Sequence, residues 1–284
     1  PPAISPALIA FAADIEDRLR GLLAESWLAA YVPQIFQICD ELIKNALKSN
    51  FKFLQLWCAT RSRLLAAQPD TSQAELDDWL REIFFSGEER LLEQHLAHIA
   101  DQSERIRSEV RSLLDLESRY VRAGQLTVEQ LANPEQIDDP IVAPLLASKR
   151  LARELNIHAH IEMERTADEL LIKISTDSPI LAEDVERIRA VRARFRKYRS
   201  AGRQQEFFIE NLDTSGGGHG LGYAIMDSIL CEMNLDPDRS LYLIAATRTM
   251  VLLVLPLQQD PNGSSCGGES AAVAAASGEP RSSA

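Results

Sequence analysis

The chain has 284 residues, of which 45% are hydrophobic and 25% are charged, and its formal net charge is −12. This length and composition allow a sizeable core in one elaborated domain or two small ones, and the acidic balance argues against general nucleic-acid binding. The longest apolar run, MVLLVLPL from Met250, is shorter than the ~20 residues needed to cross a bilayer. The start, PPAISPALIAFAAD, has no basic region before its apolar part, so we interpret it as a fragment's start rather than a signal peptide.

The first part of the sequence, residues 7–67, is predicted to be helical. Its most strongly patterned part is YVPQIFQICDELIKNALKSN, in which apolar residues recur at helical spacing and polar residues occupy the opposite face. The apolar stripe consists of Ile35, Ile38, Cys39, Leu42, Ile43, Ala46 and Leu47.

A second helical region is predicted from the capping pattern DTSQAE, which follows Pro69, to Tyr120. Its apolar residues alternate at spacings of three and four, namely Leu92, Leu96, Ile99, Ile106, Val110, Leu113 and Tyr120. This spacing is typical either of a helical hairpin or coiled-coil seam, or of an ordinary amphipathic helix packed on its own domain. The turn-rich stretch 133–144 then precedes a short predicted helix, LLASKRLARELN.

The second half of the chain changes to alternating patterns. IHAHIEMER and ELLIKIST, joined by TAD, predict a β-hairpin, and SLYLIAA and TMVLLVLPL predict two more strands. A charged helix, LAEDVERIRAVRARFRKYRSAGRQQ, and a glycine-rich stretch with its own helix lie between the two pairs. This order predicts an α/β sandwich with helices on one face of the sheet. Residues 258–284 are small, polar and unpatterned, so we expect them to be disordered.

The cysteines indicate whether the protein is expected in a reducing or an oxidising compartment. Cys39, Cys58, Cys231 and Cys266 show no spacing typical of a metal site. Three of the four lie in apolar surroundings, so we expect buried thiols in a reducing compartment, which favours the cytoplasm.

Glycines crowd the stretch SGGGHGLGYAI, residues 215–225. The stretch is no dinucleotide fingerprint, because Leu221 stands where the third glycine should be, and no P-loop, because no Lys follows Gly222. It can be a glycine-rich loop that presents free N–H groups at a helix start, or a flexible linker before that helix.

A polar stripe lies on the strongly patterned helix. Glu41, Lys44, Asn45 and Lys48 are spaced i, i+3, i+4 and i+7, so they share one face. A solvated face of an amphipathic helix has this composition. Taken with the glycines downstream, the stripe also suits a magnesium-bound triphosphate, since an amide oxygen binds the cation, Lys offsets phosphate charge and Glu orients or deprotonates a nucleophile.

Three segments resemble the motifs of one ATPase superfamily, that of gyrase, heat-shock chaperones, histidine kinases and mismatch-repair proteins (GHKL). ELIKNALKSN resembles the N box, DSPILAEDVERIRAVRARF a reduced G1 box with its helix, and GGGHGLGYAI the G2 box, in the same order. The resemblance implies a Bergerat-type α/β sandwich, with a mixed sheet and helices on one face, closest to the ATP-binding domains of histidine kinases. Residues 1–53 would supply the N-terminal helices and 157–257 the α/β remainder, which leaves 54–156 as a large helical insertion.

Carried over by position, the resemblance implies ATP and Mg²⁺ as ligands. Asn45 would bind the magnesium ion, Glu41 would act as general base and Lys48 would contact phosphate. Asp177 would accept a hydrogen bond from the adenine amine. The residues that would lie against the nucleotide from the G2-like stretch are Gly218, His219, Gly220, Leu221 and Gly222.

The G1-like segment departs from the family pattern. Asp177 is followed by Ser178, Pro179, Ile180 and Leu181, so both glycines of Asp-x-Gly-x-Gly are missing and the segment is shorter than the motif. We therefore expect a weakened or altered nucleotide site.

Two functions remain open at this point. The first is a magnesium-dependent ATP-binding domain of a bacterial two-component system, with phosphoryl transfer to a partner protein or to water. The second is a non-catalytic signalling or scaffold module that keeps the fold and acts through the helical insertion, by binding a partner or forming a homodimer. Neither involves nucleic acid or a membrane span in this chain.

Basic residues are concentrated in the predicted charged helix. A basic run consists of Arg187, Arg189, Arg192, Arg194, Arg196, Lys197, Arg199 and Arg203. It favours either electrostatic closure over a phosphate ligand, or a solvated face or docking site for an acidic partner.

His95 and His98 are not followed by an acidic residue, so we predict no phosphoacceptor in this chain. His158 and His160 alternate on a predicted strand and are assigned no function.

Overall fold

The computed structural model describes residues 6–97, 102–127, 130, 137, 139–212, 221–245 and 248–258. Its first helix, α1, spans Pro6–Leu23, and a 3-10 turn at Trp27–Tyr31 leads into α2, Val32–Ala67. Pro33 lies in the first turn of α2, where a missing N–H disturbs no helical hydrogen bond. The predicted boundary at residue 53 falls inside this 36-residue helix.

The helices with described bounds that follow are α3 (Gln73–Phe85), α4 (Glu89–Ala97), α5 (Ser103–Arg122) and α6 (Ala143–Glu154). The predicted cap at the start of α3 is confirmed, because Ser72 and Glu75 form a reciprocal capping box. The chain then turns at Gly87, whose φ of 80° is favourable for glycine. The predicted helical region up to Tyr120 therefore consists of three described helices, and α5 packs as an ordinary amphipathic helix through Ile106 and Val110.

The sheet contains four described strands, β1 (Ala159–Arg165), β2 (Glu169–Thr176), β3 (Leu241–Ala245) and β4 (Thr249–Pro256). Their order is β1-β2-β4-β3, and each neighbouring pair is antiparallel. The predicted β1–β2 hairpin is confirmed. The expected mixed sheet is wrong for this part of the chain, because β4 enters between β2 and β3 and runs opposite to both.

Helices connect the two strand pairs, namely α7 (Ala182–Ser200), α8 (Gln204–Leu212), α9 (Leu221–Glu232) and the short α10 (Pro237–Ser240). Gly202, with a φ of 69°, turns the chain between α7 and α8, so the charged stretch predicted as one helix forms two. None of the helices that the structure describes is long and apolar enough to cross a membrane.

A first hydrophobic core lies between the sheet and three helices. Alternation along β2 turns Leu170, Ile172 and Ile174 toward α1, α9 and the first half of α2, and β4 does the same with alternate residues. Each such aliphatic side chain contributes about 1.5–3 kcal/mol when fully buried. The predicted arrangement, with helices packed on one face of a sheet, is therefore present.

A second core lies among the second half of α2 and helices α3, α5 and α6. Its largest buried side chain is Trp57, which contacts Phe53, Phe84 and Phe85 with ring centroids 6.0, 5.5 and 6.2 Å away. Because α2 contributes to both cores, it connects the sheet rigidly to the helical region.

Three free cysteines fall within the described residues. Cys39 and Cys231 are buried, as expected, and burial together with the charge of Asp40 raises the pKa of the Cys39 thiol to about 12. Cys58 is exposed, contrary to the expectation, because it lies on a side of α2 that the second core leaves uncovered. Cys266 lies outside the described residues.

Candidate functional site

The predicted polar stripe of α2 carries a local charge network. The Lys44 ammonium lies 2.6 Å from Oδ2 of Asp40 and 3.2 Å from Oε1 of Glu41. Burial acts to lower the pKa of Lys44, but the hydrogen bonds and charges of the two carboxylates outweigh burial and raise that pKa. Lys44 therefore holds Oε1 of Glu41, while Oε2 lies beside α9.

The first turn of α9 lies directly against this stripe. A Cβ on Gly222 would stand 3.1 Å from Oε2 of Glu41 and 3.4 Å from Nδ2 of Asn45. Glycine permits this close approach because it has no side chain. Nδ2 of Asn45 is buried and has no hydrogen-bond partner among the described residues. An orphaned buried amide beside a carboxylate and bare backbone marks a place where a polar ligand can complete the contacts.

The rest of the glycine-rich stretch is only partly described. Gly218, His219 and Gly220 lie outside the described residues. Leu221 begins α9 and packs on a small cluster that includes Phe195 and Phe207. Packing of Leu221 thus fixes the start of α9 and holds Gly222 at the polar stripe.

Lys48 lies one turn further along α2, in a cationic neighbourhood. Burial lowers the pKa of its ammonium, Arg187, Arg111 and Lys52 lower it further, and Asp184 opposes them. Asp184 itself lies 2.5 Å from Lys52 and 2.5 Å from Arg187. Cations from α2 and α7 thus pair with Asp184, and Arg111 of α5 adds its positive charge to the surroundings of Lys48.

Asp177 directly follows β2 and is 8% exposed. Its Oδ2 accepts from the backbone N–H of His158 at 3.0 Å and lies 3.0 Å from Nε2 of His160. Its Oδ1 lies 3.5 Å from Nε of Arg248. Burial acts to raise the pKa of Asp177, but these bonds and the charges of His160 and Arg248 outweigh it and lower that pKa. The carboxylate is therefore ionised and held in a fixed orientation.

A buried hydroxyl network backs Asp177. The carbonyl oxygen of Ser178 accepts from the hydroxyls of Thr176 and Thr249, each at 3.0 Å. The Ser178 hydroxyl donates to Oδ1 of Asn50 at 2.7 Å, which connects this segment to α2. This network was not predicted from the sequence. The pairing of Thr176 with Thr249 across β2 and β4 could be recognised only once the strand register was known.

Residues 179–181 stand where the family pattern has glycines, and they pack against the helical region. Leu181 is buried in the second core. These residues also line a groove of about 960 Å³ whose other walls come mainly from α2 to α5 and from α7, including Leu56, Phe84 and Val185. The apolar residues that stand in place of the glycines therefore pack the segment after Asp177 against the helices within residues 54–156.

The basic run is largely paired with acidic groups of the same chain. Arg192 donates to both carboxylate oxygens of Asp227 and to the backbone carbonyls of Pro237 and Leu241. Exposed ion pairs join Arg189 to Glu186 and Arg194 to Glu210. The contacts of this run therefore fasten α7 to neighbouring helices, and Arg187 in addition lies near Lys48.

One of the histidines makes a contact that was not predicted from the sequence. His95 is partly buried on α4, and His98 lies outside the described residues. His160, which was assigned no function, contacts the carboxylate of Asp177. His160 lies on β1 directly opposite Ser175 of β2, two residues before Asp177. Its position on the strand predicted to pair with β2 was the signal that the sequence offered.

The described residues offer few ligands for a metal ion. The described part of the chain contains no group of three or more His, Cys, Asp or Glu side chains that could hold one. Mg²⁺ on a nucleotide needs less, since it keeps several waters and takes its other ligands from phosphates and one or two protein oxygens. The amide oxygen of Asn45, which lies beside Gly222, can supply one such protein oxygen. This residue fits a magnesium ion that is carried by phosphates.

The predicted site residues thus form two groups that α2 connects. Glu41, Asn45 and Gly222 meet at one place, and Asp177 lies at the end of β2, joined to α2 through the bond between Ser178 and Asn50. No protein-family model, curated protein or solved structure matches this chain.

Proposed function

We propose that the chain is a magnesium-dependent ATP-binding module of the histidine-kinase type, with the Bergerat arrangement, that passes a phosphoryl group to a partner protein in bacterial signalling. The observation that carries the proposal is the meeting of Glu41 and Asn45 on α2 with Gly222 at the start of α9. A carboxylate, an amide and bare backbone from distant parts of the chain converge there, as a bound triphosphate requires.

The phosphate end of the site lies along α2. Asn45 turns its amide to the place of a metal-bound phosphate, and Lys48 adds charge next to it. Oε2 of Glu41 orients the attacking group and accepts its proton, while Lys44 keeps Oε1 engaged. Mg²⁺, when bound, would offset the negative charge of the phosphates.

The base end of the site lies at the end of β2. The ionised carboxylate of Asp177 accepts a hydrogen bond from the exocyclic amine of adenine. The bonds of Ser178 to Thr176, Thr249 and Asn50 keep the adjoining backbone in place. Both ends of the nucleotide would therefore be held by groups connected through α2.

Binding of labelled ATP with Mg²⁺ or with EDTA tests the proposal. Wild type is expected to bind ATP in the presence of Mg²⁺, and Asn45→Ala is expected to lose about tenfold in affinity, the equivalent of one hydrogen bond to a charged group. Gln37→Ala, which removes an exposed amide on the same helix, serves as the matched control. Absence of magnesium-dependent binding in wild type would rule the proposal out.

A non-catalytic module with the same fold is the second candidate, and one observation favours it. Residues 179–181 pack on the helical region instead of forming a flexible glycine loop. Turnover of γ-labelled ATP separates the two candidates, with Glu41→Gln as the inactive reference. Magnesium-dependent binding with no hydrolysis or transfer above that reference would favour the second candidate.

A further inference from the structure

The outer face of the sheet, which is the face opposite to the first core, carries a continuous apolar patch. Side chains alternate along a strand, so the residues between those of the first core point away from the helices. The register pairs three outward residues of β4 with apolar residues of both neighbouring strands, namely Met250 with Ile244, Leu252 with Tyr242 and Val254 with Leu171. None of these six side chains belongs to a core of the described residues, and Tyr242 and Ile244 are each 42% exposed.

The sequence of β4 is typical of a strand that is covered on both faces. A strand of an antiparallel sheet with one face in water alternates apolar and polar residues, whereas a strand buried on both faces is apolar throughout. TMVLLVLP follows the second pattern. Its inward residues Val251, Leu253 and Leu255 lie in the first core. The outward residues of β4 therefore require a cover of their own.

Residues 259–284, which follow β4 in the chain, have the wrong composition for such a cover. They include one Val and no Leu, Ile, Met or aromatic residue. A second copy of the chain supplies an apolar face of the same size. Two sheets can pack face to face, about 10 Å apart and with their strands about 30° from alignment, so that the side chains of the two faces interdigitate.

The charges of the outer face lie on one side of the patch. Glu162 and Glu164 of β1 and Lys173 of β2 point outward, and the Lys173 ammonium lies 3.0 Å from Oε1 of Glu162. β3 and β4 contain no charged residue. A two-fold axis along β4 would therefore pack β4 on β4 of the second copy and leave the glutamates of β1 at the hydrated rim.

The same axis makes the face complementary to itself. Lys173 and Tyr242 lie on either side of Leu252 in the register. Rotation about an axis along β4 exchanges these two sides, so Lys173 of each copy would face Tyr242 of the second copy. An ammonium group over an aromatic ring is a favourable contact.

The area of the face suits a dimer in equilibrium with its monomer. The four strands contain 7, 8, 5 and 8 residues. With about 3.4 Å per residue and about 4.8 Å between strands, the flat area is about 450 Å² on each copy. Two copies thus bury about 900 Å² before the relief of the side chains is added, which is close to the lower limit of about 1,000 Å² for a specific interface.

We propose that the outer face of the sheet is a homodimer interface, in which two copies pack sheet against sheet along β4. Sedimentation equilibrium at several protein concentrations tests this proposal. The chain has a mass of 31.6 kDa, and wild type is expected to approach twice that mass as its concentration rises from about 1 to about 100 μM.

Ile244→Lys is expected to raise the dissociation constant of the dimer at least about a hundredfold, because two-fold symmetry buries two unpaired ammonium groups for each substitution. Tyr242→Lys is expected to act in the same way. Both side chains are partly exposed in the single chain, so both variants are expected to fold, which urea denaturation checks. The matched control is Ile209→Lys, which places the same charge at a 64% exposed isoleucine of α8 and is expected to keep the wild-type dissociation constant.

Two results would overturn the proposal. The first is a wild type that stays monomeric over the whole concentration range, whether residues 259–284 or another protein covers the face. The second is a dimer whose dissociation constant is unchanged in both Ile244→Lys and Tyr242→Lys, since the copies would then meet elsewhere, as on the helical region. The measurement needs no nucleotide, so neither result affects the proposed function.

Discussion

Gly222 and Glu41 meet so closely that a Cβ on the glycine would stand 3.1 Å from the carboxylate Oε2. This contact fixes the distance between the start of α9 and the polar stripe of α2. It also leaves Nδ2 of Asn45 buried without a hydrogen-bond partner in the described part of the chain. The close packing of α9 on α2 at this place therefore depends on the absence of a side chain at Gly222.

Gly222→Ala tests how tightly the function depends on that contact. The added methyl group must push Glu41 or Asn45 aside by a few tenths of an ångström. Since a misplacement of about 1 Å can cost about a hundredfold in rate, we expect roughly a tenfold loss of magnesium-dependent ATP binding or turnover. Equilibrium binding and steady-state hydrolysis measure it.

The matched control for this prediction is Gly21→Ala in α1, where an added Cβ meets nothing within 4 Å. Alanine favours a helix over glycine, so this variant is expected to be more stable by up to about 1 kcal/mol, with unchanged nucleotide binding. Equal binding by the two glycine variants would show that the close approach at Gly222 has no functional role.

Arg192 and Asp227 form the most buried ion pair of α7, with side chains 12% and 1% exposed. Arg192→Met would leave the Asp227 carboxylate buried and uncompensated, so we expect a loss of about 3–5 kcal/mol in the free energy of unfolding. Burial acts to lower the pKa of Arg192, but its bonds to Asp227 outweigh that and raise it, whereas burial raises the pKa of Asp227 in spite of the opposing bonds and charge of Arg192. Urea denaturation measures the loss.

Two further variants show whether the loss of stability comes from the unpaired buried charge of Asp227. Arg189→Met breaks an exposed pair, with side chains 69% and 70% exposed, and is expected to cost less than about 1 kcal/mol. Arg192→Met combined with Asp227→Leu removes both charges and is expected to recover part of the stability. If Arg192→Met were as mild as Arg189→Met, the buried pair would not hold α7 on α9.

The local features of this fold could be predicted from the sequence because they depend on periodicity and caps. Alternation in IHAHIEMER and ELLIKIST predicted β1 and β2, and Ser72 with Glu75 predicted the start of α3. Helical spacing likewise placed Glu41 and Asn45 on one face of α2. These signals lie within a few residues of each other, so no tertiary information was needed.

The tertiary features could not be predicted in the same way. The approach of Gly222 to α2, the contact of His160 with Asp177 and the bond between Asn50 and Ser178 all depend on how distant elements pack. The antiparallel order of the sheet depends on the position of β4 between β2 and β3, which alternation alone leaves open.

The bond between Asn50 and Ser178 gives a third prediction. Both side chains are buried, and Asn50→Ala would leave the Ser178 hydroxyl without its acceptor on α2, at a cost of about 1–3 kcal/mol. A double-mutant cycle with Ser178→Ala, followed by urea denaturation, measures the coupling between them. We expect a coupling energy above about 0.5 kcal/mol, and strictly additive losses would contradict a direct bond between α2 and the segment after β2.

Asp177 gives a prediction about pH. Its pKa in the folded protein lies below the ordinary value of 3.8, because the bonds from His160 and His158 and the charge of Arg248 outweigh burial. A carboxyl whose folded pKa is depressed stabilises the protein above its unfolded pKa, and this contribution disappears as the pH falls through the folded pKa. Wild type should therefore lose stability relative to Asp177→Asn when the pH falls from about 5 to about 3.

Urea denaturation of wild type and Asp177→Asn across that pH range measures the effect. The difference between their free energies of unfolding should be largest at neutral pH and should shrink on acidification, because Asn cannot ionise and has no such pH-dependent contribution. Asp78→Asn, which replaces an exposed carboxylate on α3, is expected to differ from wild type by less than about 0.5 kcal/mol at each pH. A constant difference between wild type and Asp177→Asn at every pH would mean that the bonds from His158 and His160 do not favour the ionised carboxylate.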